Sequence, residues 1–270
     1  MNAEKTLGYR PIITHDIDRY YKWKQFKSIF GETSRIIRNE SSWSLGEAWG
    51  SFLKSRQADP FSNLIEIAEM DQKLGLESVF YIMTTEEKHP KNINDYNVQN
   101  PKVKTTLRQL LRLGCEIGLH PGILTYNDEI RLIAQKERLE KSIDQEVVRS
   151  RQHYLKYKYP DTFKKLETVG IKNDSSILVN LAEEQNPRKR TTYLMRDSDG
   201  EEMNISQTPL VFMDTHHMDK TDDEILTFLE KSVAPAKKEG GEIMILWHNN
   251  NISNSREKGL YKEALEIISN

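Results

Sequence analysis

The chain predicts an α/β protein built around a parallel sheet, closed or open. Amphipathic helical segments alternate with short apolar runs, and each apolar run gives way to a polar tip. With 270 residues the chain accommodates an α/β barrel of about 250 residues as one unit. No linker or internal repeat divides it, so residues 1–270 read as a single domain.

"PIITHDIDRYYKW" opens the series with a short apolar strand that ends in His15, Asp16 and Asp18. Residues two apart in an extended segment point the same way, so Asp16 and Asp18 share a face. Two such carboxylates repel unless a cation lies between them. The spacing therefore fits a metal site or a solvated loop. Residues 20–60, rich in aromatics and charges, read as a helical excursion after this first strand. "FSNLIEIAEMDQKLG" places Leu64, Ile65, Ile67, Ala68 and Leu74 at helical spacing and stops at Gly75 before the strand-like "ESVFYIM". "PKVKTTLRQLLRLG" likewise stops at Gly114 before "CEIGLHPG". A long helix, "DEIRLIAQKERLEKSIDQEV", leads to "RSRQHYLKY", and "YPDTFKKLETVG" leads to "IKNDSSIL". The polar stretch 180–204, with "NPRKR" and "RDSDGEE", reads as loop or irregular insertion. "DKTDDEILTFLEKSVAPAKKEG" then precedes the strand "GEIMILWHNN", and "GLYKEALEII" closes the chain as a helix.

Hydrophobic residues make up 37% of the chain and charged residues 30%, the balance of a protein with a very polar exterior. A net charge of −2 gives no reason to expect nucleic acid or an anionic membrane as partner. The sole cysteine, Cys115, excludes an intrachain disulfide and fits a reducing compartment. "MNAEKTLGYR" lacks the apolar core of a signal peptide, and no stretch approaches the ~18 apolar residues of a membrane span. A cytoplasmic location is expected.

In a parallel α/β architecture the carboxyl ends of the strands converge on one rim. That rim would collect Asp16 and Asp18, His120 after "CEIGL", Arg151, His153 and Tyr154 within "RSRQHYL", Asp174 after "IK", and His248 after "IMILW". Each histidine alone is more often structural than a ligand. Their convergence with Asp and Arg points to metal plus acid–base chemistry.

The order of these tips resembles the polysaccharide deacetylases, the NodB-homology group or carbohydrate esterase family 4, whose fold is a distorted (β/α) barrel. "THDID" is similar to the family's first motif in its spaced form, "HPGIL" to the second, "RQHY" to the third, "DSSIL" to the fourth and "LWH" to the fifth. "EIGLHPG", "SRQHYLKY", "PLVFMD" and "LWHN" resemble intracellular members linked to O-antigen and surface-polysaccharide synthesis. The resemblance implies roles. Asp16 matches the general base, Arg151 its partner, Asp18 and His120 metal ligands, and Tyr154 the oxyanion N–H. His248 matches the general acid and Asp174 the carboxylate that orients it. The implied cofactor is one divalent metal ion, zinc by default, and the implied substrate an amino sugar of a glycan precursor.

Two departures stand out. The second motif's second histidine falls at Leu124, which binds no metal, and the third motif's proline is His153, which could supply the missing ligand. The fourth motif's tryptophan falls at Leu178, leaving Trp23, Trp43 and Trp49 as candidates for a sugar-pocket wall, though buried packing is the commoner use of tryptophan. Asp214, His216 and His217 read as rim features. The leading expectation is a metal-dependent hydrolase removing an N-acyl group from an amino sugar. The alternatives are a catalytically silent glycan or nucleotide-sugar binding protein of the same fold, and a deformylase or non-sugar amide hydrolase.

Overall fold

The computed structural model describes residues 8–55, 57–181, 183–184 and 190–270. Nine strands form one sheet: β1 (Tyr9–Ile17), β2 (Glu77–Met83), β3 (Glu116–His120), β4 (Arg149–Ser150), β5 (Asn173–Asp174), β6 (Tyr193–Arg196), β7 (Glu202–Gln207), β8 (Leu210–Met213) and β9 (Gly241–Leu246). Their spatial order is β6-β7-β5-β4-β3-β2-β1-β9-β8. All pairs are parallel except β6–β7.

The order leaves two edges, yet the sheet curls back on itself. Just past β5 the Val179 N–H donates to Leu210 O (2.7 Å), and the Leu210 N–H donates to Ile177 O (3.1 Å). A single bridge between Leu178 and Leu210 thus joins β8 to the chain leaving β5. β7 pairs with β5 itself, at Asn173 and Asp174. The barrel is therefore distorted at this seam, as the family resemblance implies.

Helices connect the parallel strands: α1 (Lys27–Ile37), α2 (Leu45–Lys54), α3 (Leu64–Lys73), α4 (Pro101–Arg112), α5 (Glu129–Ile143), α6 (Asp161–Thr168), α7 (Asp222–Glu239) and α8 (Ser255–Ser269). α1 and α2 are the expected excursion. α2 starts at a capping box between Ser44 and Glu47, which satisfies orphan donors of its first turn.

Strand alternation sorts β1 into two faces. Ile13 and Ile17 join the large core between sheet and helices. His15 lies on that face too, where its Nδ1 donates to Trp247 O (2.7 Å) and its Nε2 faces Asp71 of α3 (3.1 Å). Ile12 points into the barrel, packing with Val79, Tyr81, Leu210, Met244 and Leu246. Thr14 and Asp16 follow it inward, where both contact Arg151. His15 is thus removed from the site by parity alone.

The polar stretch 180–204 is not all loop. β6 and β7 form an antiparallel hairpin turned at Gly200 (φ +84°), with the Asp197 carboxylate accepting the N–H groups of Asp199 and Glu201. Only Met195, Met203, Ile205 and Gln207 of its strands are buried, so polarity masked the period-2 signal. Most of "NPRKR" lies outside the described residues.

The barrel interior is tight at Gly118. A Cβ there would stand 2.5 Å from the Tyr81 ring. That ring lies 4.5 Å from the Arg151 guanidinium. Gly118→Ala is expected to cost about 1–3 kcal/mol, the usual price of overpacking, read from urea unfolding. An unchanged midpoint would show that the Tyr81 ring is free to move.

Candidate active site

Asp18 leaves β1, His120 ends β3, and His153 opens the turn after β4. Asp18 Oδ1 lies 3.3 Å from His120 Nε2 and 3.4 Å from His153 Nδ1. The two ring nitrogens are 3.0 Å apart. All three residues are nearly or fully buried, and their ligand atoms lie within 4.8 Å of one another.

Backbone carbonyls fix both imidazoles. His120 Nδ1 contacts Arg151 O and His153 Nε2 contacts Lys91 O, each at 2.7 Å. A carbonyl only accepts, so each of these nitrogens must carry the proton. The inward-facing nitrogens then present lone pairs to each other and to a carboxylate whose Oδ1 has no hydrogen-bond partner. Three acceptors face one point. An arrangement of this kind needs a proton or a cation at its centre.

The titration of the cluster reflects that need. Burial disfavours a charged His120, but Asp16 and Asp18 outweigh it and raise its pKa. Burial and the neighbouring His120 lower that of His153. Burial raises the Asp18 carboxyl, and the imidazoles more than reverse this, leaving it well below the ordinary range. The donor set of one carboxylate and two imidazoles fits Zn2+ or a similar ion, and three protein ligands leave a position open, as in catalytic zinc sites.

Asp16 differs from Asp18. Its Oδ1 accepts from Arg151 Nη1 at 3.0 Å, while its Oδ2 lies 3.8 Å from His120 Nε2. Arg151 is wholly buried. It also donates to Thr14 Oγ1, Ser175 O and Ser175 Oγ at 2.8–3.1 Å. The guanidinium has little freedom to let go of the carboxylate.

The imidazole of His248 lies just beyond β9. Its Nδ1 contacts Asp214 Oδ1 at 2.6 Å, and its backbone N–H donates to Asp214 Oδ2 at 3.0 Å. The Asn251 amide donates to the same oxygen. Burial opposes charge on His248, but Asp214, helped by Asp16 and Asp18, raises its pKa to about 9. Asp214, ending β8, is therefore the partner of His248. The expected partner, Asp174, is engaged elsewhere: it accepts from Ser150 Oγ (2.6 Å) and Ser176 N–H (2.8 Å), and burial raises its pKa. The signal for Asp214 was present, since it is the carboxylate that ends the strand beside that of His248.

Tyr154 follows His153 with φ +59°, and Leu155 continues with φ +50°. Left-handed backbone at bulky residues costs about 1–3 kcal/mol each and clusters at functional sites. The Tyr154 ring packs edge-on against His153 and is exposed. It borders a cleft of about 490 Å3 with His89, Lys91, Leu124 and Lys156. Leu124 thus lines that cleft and is not part of the ligand cluster. Trp23 and Trp43 are buried in a small core with Ile29 and Ala48, against which Trp49 packs, so the expected sugar wall is chiefly packing for the excursion. His217 is stacked between Phe212 and Phe228.

No protein-family model and no curated protein match the sequence. Solved structures do match in shape. A Mycobacterium smegmatis protein assigned as a polysaccharide deacetylase superposes with TM-score 0.58 at 13% identity, over 97% of this chain and 85% of that one. The fold is that of the polysaccharide deacetylases. The chitin deacetylase of the fungus Colletotrichum lindemuthianum gives TM-score 0.54 at 11% identity, over 97% and 82% of the two chains. A mutant CE4 family pseudoenzyme with restored enzymatic activity gives 0.51 at 9% identity, over 97% of this chain and 63% of that one. Polysaccharide deacetylase structures thus share the distorted barrel that carries the Asp18–His120–His153 cluster here.

His153→Ala is expected to weaken Zn2+ binding by more than about 100-fold, beyond the range for loss of an outer-shell partner, as is His120→Ala. Competition with a chromophoric chelator measures it. Wild-type affinity in His153→Ala would assign His153 to structure alone.

Proposed function

We propose that the chain is a metal-dependent amide hydrolase that removes an N-acyl group, acetyl by preference, from an amino sugar of a surface-polysaccharide precursor. One observation carries the reading: of two carboxylates two residues apart, one is held by a buried arginine and the other offers an orphaned oxygen to two oriented lone pairs. The deacetylase fold of the structural neighbours supports the same chemistry. The O-antigen-like flavour of the sequence motifs supports the substrate.

Asp18, His120 and His153 would hold the ion. When bound, such an ion supplies Lewis-acid assistance to the amide carbonyl and acidifies water. Asp16 takes the proton of the attacking water, and Arg151 keeps its second oxygen turned toward the reaction. The N–H of Tyr154, on the left-handed turn, serves the developing oxyanion. His248 delivers a proton to the departing amine, which leaves as a neutral molecule. Asp214 keeps that proton on the ring until it is needed.

Asp16→Asn is expected to lower turnover by about 10² to 10⁴, the range for loss of a general base, with metal content unchanged. His248→Ala should impair amide cleavage far more than cleavage of an activated ester, whose leaving group needs no proton. Equal losses on matched amide and ester substrates would remove His248 from the acid role. A metal-loaded wild type with no turnover on any N-acyl sugar would favour the silent binding protein.

The pH profile tests Asp214. His248 must be protonated to act as acid, and its raised pKa keeps it so until pH rises through about 9. Activity should therefore fall on the alkaline side near that value. Asp214→Asn should move that limb down toward the ordinary histidine value of about 6.5, whereas Asp174→Asn should leave it in place. An unmoved limb in Asp214→Asn would exclude the pairing from catalysis.

A further inference from the structure

We propose that the outer face of the α1–α2 excursion is a docking surface for an anionic lipid bilayer. Phe26, Phe30, Thr33 and Ile37 recur at spacings of four, three and four, which places them on one side of α1. That side faces solvent: Phe26 is 64% exposed, Phe30 54% and Ile37 71%. Leu53 of α2 adds 77%. The rings form one continuous surface, with Phe26 against Phe30 (5.3 Å) and Phe52 (5.5 Å), and Phe30 against Trp49 (6.0 Å). The opposite side of the excursion already has its own core of Trp23, Ile29, Trp43 and Ala48. Trp49 and Phe52 pack against that core, whereas Phe26 and Phe30 stand outside it. Their exposure asks for a partner.

Charge identifies the partner. Residues 19–56 carry eight Lys or Arg and three Glu, a local charge of +5 in a chain whose total is −2. The net charge thus hides an asymmetry of the kind that marks polyanionic partners. Lys24, Lys27, Arg35, Arg38 and Lys54 of this segment are all exposed. Glu32, by contrast, is buried and engaged by Lys22 and Arg35. A basic helix with an exposed aromatic face matches the bilayer interface, where apolar groups enter the acyl boundary and lysines meet anionic headgroups. A second copy of this chain would set +5 against +5. Nucleic acid would match the charge but offers nothing to aliphatic Ile37 and Leu53. Among the described residues no helix is long and apolar enough to cross a membrane, so the contact is with the surface.

The surface goes beyond the hydrolase reading, and its position gives it a consequence for that reading. The excursion leaves β1 directly after Asp18. A polar cleft of about 390 Å3 separates it from Asn250 and Asn251, just past His248. Docking through α1 and α2 would hold the rim of the barrel close to the membrane, where a lipid-carried substrate would be presented.

Flotation of the full chain with vesicles tests the proposal. Equal parts phosphatidylcholine and phosphatidylglycerol form one set, and phosphatidylcholine alone the other. Wild type is expected to float with the anionic set and to be released by salt. Phe26→Ser with Phe30→Ser, and separately Lys27→Glu with Lys54→Glu, should each lower partitioning at least about tenfold. Both pairs alter exposed side chains, and circular dichroism verifies their fold. His120→Ala should float like wild type, so loss of activity and loss of docking are separable. The proposal is overturned if wild type floats with neither set, or with both equally and regardless of salt. It is also overturned if the Phe pair abolishes self-association or oligonucleotide binding while vesicle binding is absent.

Discussion

Two backbone carbonyls, Arg151 O and Lys91 O, set the chemistry of the rim. By taking the outward N–H of His120 and His153, they leave both inward nitrogens without protons. Neither carbonyl belongs to a regular strand, which is why each is available. Arg151 O lies just past β4, and Lys91 O belongs to the connection between β2 and α4. A proton shared among the three acceptors would leave two of them poorly satisfied in a buried setting, where an unpaired group costs about 1–3 kcal/mol. A divalent cation satisfies all three at once. The cluster's burial and its need for a proton or a cation at the centre therefore have the same cause.

Arg151 holds the remaining geometry together. Its guanidinium joins β1 through Thr14 and Asp16, the turn after β5 through Ser175, and β9 through the Met244 sulfur at 3.5 Å. Tyr81 of β2 supports its face. A buried charge costs more than it returns unless it is paired and fully hydrogen-bonded, and here five contacts share that task. Lysine could not replace it, because its single ammonium reaches neither the fork geometry nor the stacking. The side chain thus converts a packed barrel interior into a positioned carboxylate at the rim.

Much of this was legible in the sequence, for identifiable reasons. Period-2 alternation put Asp16 and Asp18 on one face, and the glycines at 75 and 114 marked where helices yield to strands. Polar tips after apolar runs located the rim. The β6–β7 hairpin was hidden because its strands are short and β6, Tyr193–Arg196, does not alternate apolar with polar residues. For Trp23 and Trp43 the commoner use of tryptophan, buried packing, is the one found: the excursion is long enough to need a core of its own, and the tryptophans fill it. The pairing of Asp174 failed because motif order records which residues reach a rim, not which rim neighbours touch. Asp174 ends a two-residue strand and turns to Ser150 and Ser176, while β8 lies directly beside β9.

Two departures from the sequence expectation, one at the Asp18–His120–His153 cluster and one at His248, share a feature. Leu124 stands where a second histidine was expected after β3, and His153, after neighbouring β4, occupies the cluster. Asp174 ends β5, and Asp214, at the end of β8, meets His248. In each case the functional group comes from the strand adjacent to the one that carries its partner: β4 beside β3, and β8 beside β9. A parallel barrel permits this, since adjacent strands end about 4.8 Å apart, well within the reach of an imidazole or a carboxylate. A group on a strand beside its partner's can therefore reach the same point at the rim. The fixed points of this rim are the Asp16–Arg151 pair and the protons locked on His120 and His153.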